Sequence, residues 1–577
     1  MPESPPATRF EPRPLPADWR PASDLHPVLA RVLASRGLAD PDALKFPVSA
    51  LPSFETLKDI EPAAGRIVQA IVNQQSILIV GDFDADGATS SALGLLGLTA
   101  LGAERVGFLV PNRFEYGYGL TPKIVAEART RSPHLIITVD NGISSVDGVA
   151  AANAAGIDVI VTDHHLAGAE LPEAVAIVNP NQPGDLFPCK ALAGVGVMFY
   201  VLLAVRSALK ELGWFSDAPP NLAEFLDLVA LGTVADVVPL DPVNRIMVAQ
   251  GIRRIRAGRC RPGIRALLGV DGRAPESVCS RDLGFSVAPR LNAAGRLTDM
   301  TLGIECLATA DAGRAAVLAR ELDALNAERK SLEAGMREQA FGIADGLLAN
   351  GIDGDAGLTL YDAGWHEGLV GLVAARVKDR FGLPTVAFAP SSDPAVLKGS
   401  ARSVDGLHIR DLIETIATEH PGLIARYGGH AMAAGLSLPA THLEAFEAAY
   451  DAHSRAQLAR IGAGGAIPTD GELPAAELSV ALARLLKAAA PWGRDFPEPM
   501  FEGAFAIRDR RIVGSSHVKL KLDAGTGAAP VDAIAFGRDY DPLLRAGASV
   551  RAAYRLDVNS WRARDSLQLI VEHVLPD

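Results

Sequence analysis

The sequence predicts an α/β protein of several domains: a parallel-sheet domain, a long helix, a second α/β domain and a small β-barrel. Three observations predict this order. Apolar runs of strand length alternate with helical segments between residues 76 and 231, as in parallel sheets with helices on both faces. Leucine and methionine then recur at three-, four- and seven-residue intervals from Leu318 to Leu347. Beyond residue 500, short segments with alternating polarity are joined by turns, which is typical of a small barrel.

The first 50 residues are predicted to form an N-terminal arm with one short helix near Val28 to Arg36. Residues 51–309 are predicted to be the first α/β domain. Its strands are expected at 76–80, 105–110, 134–139, 157–162 and 174–178, and its helices at 89–101, 121–130, 145–155, 193–212 and 222–231. The hydroxyls of Thr89 and Ser90 are the expected N-cap of the first of these helices.

Residues 310–350 are predicted to form one connecting helix, with two shorter helices broken near Gly335 as the alternative. Residues 351–460 are predicted to form a second α/β domain. A glycine-rich linker is expected at 461–468. Residues 469–577 are expected to be a five-stranded barrel that binds nucleic acid; the alternative is a module that only packs between domains.

Composition limits the cellular setting. The chain has 577 residues and a formal net charge of −13, which argues against an overall basic coat but permits a local cationic groove. Every apolar stretch is interrupted before the ~18 residues that a membrane span needs, so no membrane association is expected. The four cysteines lack metal-site or disulfide-framework spacing and fit reduced thiols. A monomeric cytoplasmic protein is therefore expected.

Acidic and imidazole side chains follow successive predicted strands. They are Asp82, Asp84 and Asp86 after the first apolar run, Asp140 after the third, Asp163-His164-His165 after the fourth, and Asp236 further along. The carboxyl ends of parallel strands converge on one crevice, so these residues are expected to lie together. Carboxylates bind hard divalent cations, and imidazole shifts the preference towards manganese-like metals. The pattern predicts a two-metal phosphoester hydrolase that uses Mn²⁺ or Mg²⁺.

Each candidate ligand has an expected role. Asp84 and Asp86 are expected to bind one cation each, and Asp140 to bridge both. His164 and Asp236 would complete the second site, Asp82 would be a ligand of the first site or a hydrogen-bond acceptor beside it, and His165 would donate to a phosphate oxygen. The alternatives are a calcium-loop fragment, although its terminal glutamate is absent, and histidines with only a structural role.

Long motifs resemble the DHH phosphoesterase superfamily and, within it, the RecJ family. They are Asp82-Phe83-Asp84-Ala85-Asp86-Gly87, Val139-Asp140-Asn141-Gly142, Asp163-His164-His165 and Gly232-Thr233-Val234-Ala235-Asp236, with further motifs from Pro111 to Gly435. The resemblance extends from about Pro47 to the end of the chain. It implies a single-strand-specific 5′→3′ DNA exonuclease of recombination and repair, in which a DHH domain is followed by a DHH-associated domain and an OB-like barrel. Its implied partners are single-stranded DNA with a 5′ end, single-strand-binding protein and a helicase. One departure is Val80, at the position where many superfamily members have a metal-binding histidine.

The remaining motifs provide candidates for substrate binding. Arginine can bind phosphate through two hydrogen bonds, and glycine lets backbone N–H groups approach a phosphate closely. The candidates are Arg113, Tyr116, Arg290, Asn292, Arg296, Ser400, Arg402, Gly428, Gly429 and His430. Surface salt bridges are the alternative for the arginines, and a core or hinge role is the alternative for Tyr116.

Two other functions compete with the exonuclease. A DHH phosphodiesterase could hydrolyse short oligonucleotides or cyclic dinucleotides, but such enzymes resemble the two α/β domains alone. A non-catalytic scaffold would be expected to lose metal ligands, whereas the candidate ligands are all present here.

Overall fold

The computed structural model describes residues 9–20, 24–38, 40–111, 119–349, 356–461, 466–514, 516–525, 527, 529–538, 541–561 and 564–577. The N-terminal arm contains a strand and a helix, β1 (Arg9–Pro12) and α1 (Pro27–Ala34). The helix lies where the sequence predicts it. Its leucines and valines pack into the same core as the first domain and the barrel.

The first domain alternates strands and helices as predicted. The elements are α2 (Ile60–Val72), β2 (Ile77–Gly81), α3 (Ala85–Ala100), β3 (Val106–Leu109), α4 (Pro122–Arg129), β4 (Leu135–Val139), α5 (Val146–Ala154), β5 (Asp158–Thr162), β6 (Ala176–Val178) and α6 (Gly194–Glu211). The strands form a parallel sheet in the order β3-β2-β4-β5-β6. Strands β2 and β4 are buried along their whole length, because helices cover both faces.

A helical region completes this domain. It consists of α7 (Leu226–Ala235), α8 (Pro242–Arg256), α9 (Pro262–Val270), the single turn α10 (Ser280–Asp282), a π-helical turn (Leu283–Val287), α11 (Ala288–Leu297) and α12 (Thr301–Ala308). Helix α7 packs against α3, which brings its C-terminal end to the carboxyl edge of the sheet.

The connecting helix α13 (Ala312–Ala349) is continuous over 38 residues. At 1.5 Å per residue it is about 57 Å long. The break considered near Gly335 is wrong, and a Cβ at that position would meet nothing within 4 Å. Its first half packs on α9 and α11, and its second half packs on the second domain.

The second domain consists of β7 (Leu358–Tyr361), α14 (Val370–Phe381), β8 (Thr385–Pro390), β9 (Val396–Arg402), α15 (Ile409–Glu419), β10 (Arg426–Gly429), β11 (Ala433–Pro439) and α16 (Leu443–Ile461). Its sheet has the order β10-β11-β9-β8-β7, and only the β7–β8 pair is parallel.

The chain then forms β12 (Ala466–Thr469), which pairs in parallel with β1. The predicted linker is therefore partly a strand, whose partner lies more than 400 residues away in sequence. After α17 (Val480–Ala489), a closed barrel contains β13 (Phe501–Val513), β14 (His517–Asp523), β15 (Val531–Ala535), β16 (Ser549–Trp561) and β17 (Arg564–Pro576). The five-stranded barrel was predicted. No helix among the described residues is long and apolar enough to cross a membrane.

Candidate active site

The first acidic loop lies between β2 and α3. The side chain of Asp84 accepts hydrogen bonds from the backbone N–H groups of Asp86 (2.9 Å) and Gly87 (3.0 Å), so Asp84 is the N-cap of α3. The prediction of a hydroxyl N-cap at Thr89 and Ser90 is wrong, because the carboxylate of Asp84, five and six residues earlier, already caps the helix. Asp84 and Asp86 consequently lie on a helix start and not on a continuing strand.

Asp86 is fixed by a second helix. Its Oδ2 accepts from the N–H of Gly194 (2.6 Å) and its Oδ1 from the N–H of Val195 (3.1 Å), at the N-terminus of α6. The residue is 1% exposed. Burial and the charge of Asp84 raise the pKa of Asp86 to about 7.

Asp140 follows β4 with a φ of +62°, a left-handed conformation that is uncommon for residues other than glycine. Helix α6 approaches it so closely that a Cβ on Gly194 would lie 2.7 Å from the Asp140 Cβ and Oδ1. Burial, followed by the charges of Asp86, Asp84 and Asp236, raises the pKa of Asp140 well above its usual range. The site therefore concentrates carboxylates that repel one another.

The two histidines follow β5. The Nε2 of His164 lies 3.1 Å from Asp140 Oδ1 and 3.5 Å from Oδ2 of Asp236, the C-cap of α7. Burial lowers the pKa of His164 to about 4. The ring is therefore predominantly neutral at pH 7, which is the form that binds metals.

Asp163 positions both histidines; the sequence predicted that it lies at this edge of the sheet but gave it no role. It is completely buried and accepts from the N–H groups of His164 (2.7 Å) and His165 (3.1 Å), and its Oδ1 lies 2.8 Å from His165 Nδ1. Burial lowers the pKa of His165, but the hydrogen bond to Asp163 and its charge outweigh burial and raise this pKa to about 9. The Asp-His-His motif already contained this residue.

Three overlapping groups have ligand atoms within 4.8 Å of one another. They are Asp82, Asp84 and Asp140; Asp86, His164 and Asp236; and Asp140, His164 and His165. Oxygen donors dominate one group, and imidazole enters the others. Crowded carboxylates of this kind fit divalent cations, whose charge would offset their mutual repulsion. The aliphatic side chain of Val80 is fully buried in the sheet core and has no atom that could bind a metal.

A polar pocket of about 580 Å³ opens between this cluster and the second domain. The first domain contributes Phe83, Asp84, Asn292 and Arg296, and the second contributes Ser400 and Arg402 with other residues. Asn292 accepts from the N–H of Ala85 (2.8 Å), so it also supports the acidic loop. Arg296 donates to the carbonyl of Gly368 (3.1 Å) across the cleft.

Four of the predicted substrate residues therefore line one pocket with Asp84, and others do not. Arg290 is 5% exposed, pairs with Asp271 and Asp323, and does not line the pocket. Gly428 and Gly429 lie in β10, the exposed edge strand of the second sheet.

The remaining candidates differ in position. The His430 ring centroid lies 6.5 Å from that of His165, beside the metal cluster. Arg113 and Tyr116 lie outside the described residues. The sequence did not predict several other pocket residues, among them Lys398, Arg426 and Tyr427, although Lys398 lies two positions before the predicted Ser400 in β9.

Comparisons with known proteins agree with this architecture. Residues 76–233 match the DHH family, N-terminal domain, residues 354–455 match the DHHA1 domain, and residues 469–573 match the RecJ OB domain. A Salmonella typhimurium protein named single-stranded-DNA-specific exonuclease RecJ is 49% identical over 96% of this chain and 96% of its own length. The Bacillus subtilis protein of the same name is 32% identical over 95% of this chain and 67% of its own length.

Solved structures give the same result. The crystal structure of RecJ in complex with Mn²⁺ from Thermus thermophilus aligns with a TM-score of 0.78 at 30% identity, covering 99% of this chain and 80% of that one. The corresponding Mg²⁺ complex aligns with a TM-score of 0.73 at 28% identity, covering 99% and 78%. The chain belongs to the RecJ family of the DHH superfamily.

Proposed function

We propose that the chain is a metal-dependent exonuclease that hydrolyses single-stranded DNA from its 5′ end. The single observation that supports this most directly is that one residue belongs both to the cluster of potential metal ligands and to the lining of the polar pocket. That residue is Asp84, and the pocket is that of the second domain. A phosphate bound at the cluster would therefore have its neighbouring nucleotide in that pocket.

The donor set fits two divalent cations, Mn²⁺ or Mg²⁺. Asp82, Asp84 and Asp140 would hold one, and Asp86, His164 and Asp236, with Asp140 between the two groups, would hold the other. Bound cations supply Lewis-acid stabilisation of the phosphoryl oxygens and activate water. The protein side chains provide the geometry, because backbone N–H groups already hold Asp84 and Asp86.

We assign His165 a role on the phosphate. Its Nδ1 lies 2.8 Å from Oδ1 of the buried Asp163, which orients the ring at the cluster, and we assign to this imidazole the donation of a proton or hydrogen bond to a phosphate oxygen. His430 from the second domain adds another donor on the same side.

The 5′ polarity is assigned to the pocket around Arg402. Its guanidinium donates to Ser400 Oγ (2.9 Å) and to the carbonyl of Ala401 (2.8 Å). Among the described residues no carboxylate pairs with it, so its charge is available for a terminal phosphate. The RecJ names of the relatives and the C-terminal barrel support a polymeric substrate over a short oligonucleotide or a cyclic dinucleotide.

The cellular setting is part of the same proposal. The enzyme would work as a cytoplasmic monomer in recombination and repair, with single-strand-binding protein and a helicase that exposes the strand. The four cysteines are free thiols, as expected in a reducing compartment.

End-labelled DNA tests the proposal. With Mn²⁺ or Mg²⁺, 5′-labelled single strands should release a labelled mononucleotide first, whereas 3′-labelled strands should shorten gradually and blunt duplex should persist. Asp140→Asn is the matched inactive control, because asparagine tolerates the left-handed backbone while losing the carboxylate. It should lose about 100- to 1,000-fold in rate, the size of effect expected for a group that stabilises the reaction directly, without a fall in melting temperature. Early loss of the 3′ label, or rapid hydrolysis of dinucleotides with long strands left intact, would contradict the proposal.

A further inference from the structure

One short segment is joined to the surroundings of three potential metal ligands. Asp86, His164 and Asp236, which we call the second-cation group, have ligand atoms within 4.8 Å of one another. They lie on separate parts of the chain: at the start of α3, after β5 and at the end of α7. Residues 190–195 lead into α6, and we call them the hub segment, because hydrogen bonds join them to all three places.

The hub segment is joined to the histidine loop by Asn181. The Nδ2 of Asn181 donates to the carbonyl of His164 (2.6 Å) and to the carbonyl of Lys190 (3.0 Å), so one amide group connects the two segments. Asn179 supports the same loop. Its Nδ2 donates to the carbonyl of His165 (2.9 Å), and its Oδ1 accepts from the N–H of Asn181 (2.7 Å). The position of the His164 backbone therefore depends on the side chain of Asn181.

The next residue of the hub segment is joined to the chain beside Asp236. The Nδ2 of Asn244, in α8, donates to the carbonyl of Ala191 (2.6 Å) and to the carbonyl of Pro239 (2.9 Å), which closely follows Asp236. Asn244 is completely buried, so water from the surface cannot take over these hydrogen bonds. Two asparagines thus hold consecutive carbonyls of the hub segment, and each also holds the chain beside one ligand.

The end of the hub segment holds the third ligand directly. The N–H groups of Gly194 and Val195 donate to the two carboxylate oxygens of Asp86 at 2.6 and 3.1 Å. The Nζ of Lys190 fixes the other end, because it donates to the carbonyl of Pro180 (2.7 Å), the residue between the two asparagines of the histidine loop. A shift of the hub segment would therefore change the distances between the three ligands.

We propose that Asn181 and Asn244 are positioning residues for the second-cation group, and that the hub segment sets the separation of its three ligands. The inference deepens the proposed function and rests on its assignment of two cations. Both asparagine Nδ2 groups donate to backbone carbonyls, so these residues act through the chain that carries the ligands. Removal of a group that orients metal ligands typically changes metal affinity about 10- to 100-fold.

Titration of the full-length protein with Mn²⁺ in the absence of DNA tests the inference. Isothermal titration calorimetry of the unaltered chain should resolve two bound ions. Asn181→Ala should weaken the binding of one ion about 10- to 100-fold. The affinity for the other ion should be nearly unchanged, because in the proposed assignment the first cation does not use His164 or Asp236.

Asn153→Ala is the matched control. The Nδ2 of Asn153 also donates to a backbone carbonyl, that of Glu173 (2.8 Å), but neither residue belongs to the ligand cluster. Both Mn²⁺ affinities should therefore equal those of the unaltered chain. Asn181 is only partly buried, so water can replace its side chain, and the melting temperature without metal should fall by only about 2–4 °C in Asn181→Ala.

Cleavage assays separate positioning from a general loss of structure. In Asn181→Ala, the Mn²⁺ concentration that gives half the maximal rate should rise about 10- to 100-fold. The rate at saturating Mn²⁺ should approach that of the unaltered enzyme. Asn244→Ala should weaken the same ion, with a larger fall in melting temperature because the position is fully buried. A variant that was merely misfolded would instead have a low rate at every Mn²⁺ concentration.

The outcomes separate this inference from the proposed function. Two bound ions with unchanged affinities in Asn181→Ala would overturn the positioning role and leave the exonuclease proposal in place. Equal weakening of both ions, or the same weakening in Asn153→Ala, would also overturn it. If the unaltered protein bound no Mn²⁺ at all, both proposals would fail.

Discussion

Arg290 in helix α11 and Arg402 at the end of β9 are both shielded guanidinium groups in motifs that resemble RecJ, but their surroundings differ. Arg290 is 5% exposed, and Asp271 (2.9 Å) and Asp323 (2.8 Å) neutralise it. Arg402 is partly buried, and its polar partners are Ser400 and a backbone carbonyl. Burial lowers the pKa of Arg402, since no described carboxylate compensates for desolvation of the cation.

The difference shows how to separate a structural arginine from a ligand-binding one. Arg290 joins α11 to the connecting helix through Asp323, so its charge is already satisfied within the fold. Arg402 faces an open polar pocket with its charge unbalanced, and an anionic ligand would offset that cost. Four predictions test this contrast, from the largest expected effect to the smallest.

Arg402→Ala should have the largest effect. Loss of two charge-assisted hydrogen bonds, each contributing about 1.5–3 kcal/mol, should reduce kcat/KM on 5′-phosphorylated strands at least about 100-fold. Strands with a 5′ hydroxyl should be affected far less, because they lack the group that Arg402 binds. Cleavage rates on the same labelled oligonucleotide, prepared once with a 5′ phosphate and once with a 5′ hydroxyl, check the prediction. An equal loss on both substrates would show that Arg402 does not bind the terminal phosphate.

Arg290→Ala should affect stability and not end selection. It removes a cation partner from both Asp323 and Asp271, although Asp271 keeps Arg273 (3.1 Å). Both carboxylates are partly exposed to water, so a loss of about 2 kcal/mol in unfolding free energy is expected. Urea unfolding measures this loss, and Arg290→Lys should recover part of it. The preference for a 5′ phosphate should match that of the unaltered enzyme. A reduced preference would indicate that Arg290 contributes to substrate binding.

This contrast also marks the limit of what the sequence could predict. The alternation of strands and helices, the continuous helix and the barrel followed from periodicity, and the acids and histidines after β2, β4 and β5 meet because parallel strands end at one edge. The partners of Arg290 lie 19 residues before it and 33 residues after it, on segments whose packing no local pattern encodes. Before the fold was known, Arg290 and Arg402 were indistinguishable.

The prediction of where α3 begins failed for a related reason. Thr89 and Ser90 have good N-cap chemistry, but Asp84 stands earlier and accepts from two backbone N–H groups. A residue expected to act only as a ligand therefore also begins the helix. Lys398, Arg426 and Tyr427 were missed because they reach the pocket only through the register of β9, β10 and β11.

Gly371→Ala should disturb the Arg402 pocket without unfolding the protein. A Cβ there would lie 2.8 Å from Arg402 Nη2 and 2.9 Å from Ser400 Oγ, at the start of α14. The guanidinium is the end of a flexible side chain, so it can move aside, and we expect about a tenfold loss in 5′-phosphate preference, near 1.4 kcal/mol. Gly65→Ala is the matched helical control, since its Cβ would meet nothing within 4 Å. It should stabilise the protein by about 0.5–1 kcal/mol and leave cleavage unchanged.

Ser400→Ala should have the smallest effect. The hydroxyl accepts from Arg402 Nη1 at 2.9 Å; because water in the open pocket can replace it, we expect a contribution of about 0.5–1.5 kcal/mol, below the range for hydrogen bonds to charged groups. The expected loss is about threefold to tenfold, mostly in KM for 5′-phosphorylated strands if the hydroxyl orients the guanidinium before the substrate binds. Ser400→Thr keeps the hydroxyl and should retain most of the preference. A loss confined to kcat would instead indicate that Ser400 contacts the phosphate during the reaction. The difference between Arg402 and Arg290 would then not be explained by their hydrogen-bond and charge partners alone.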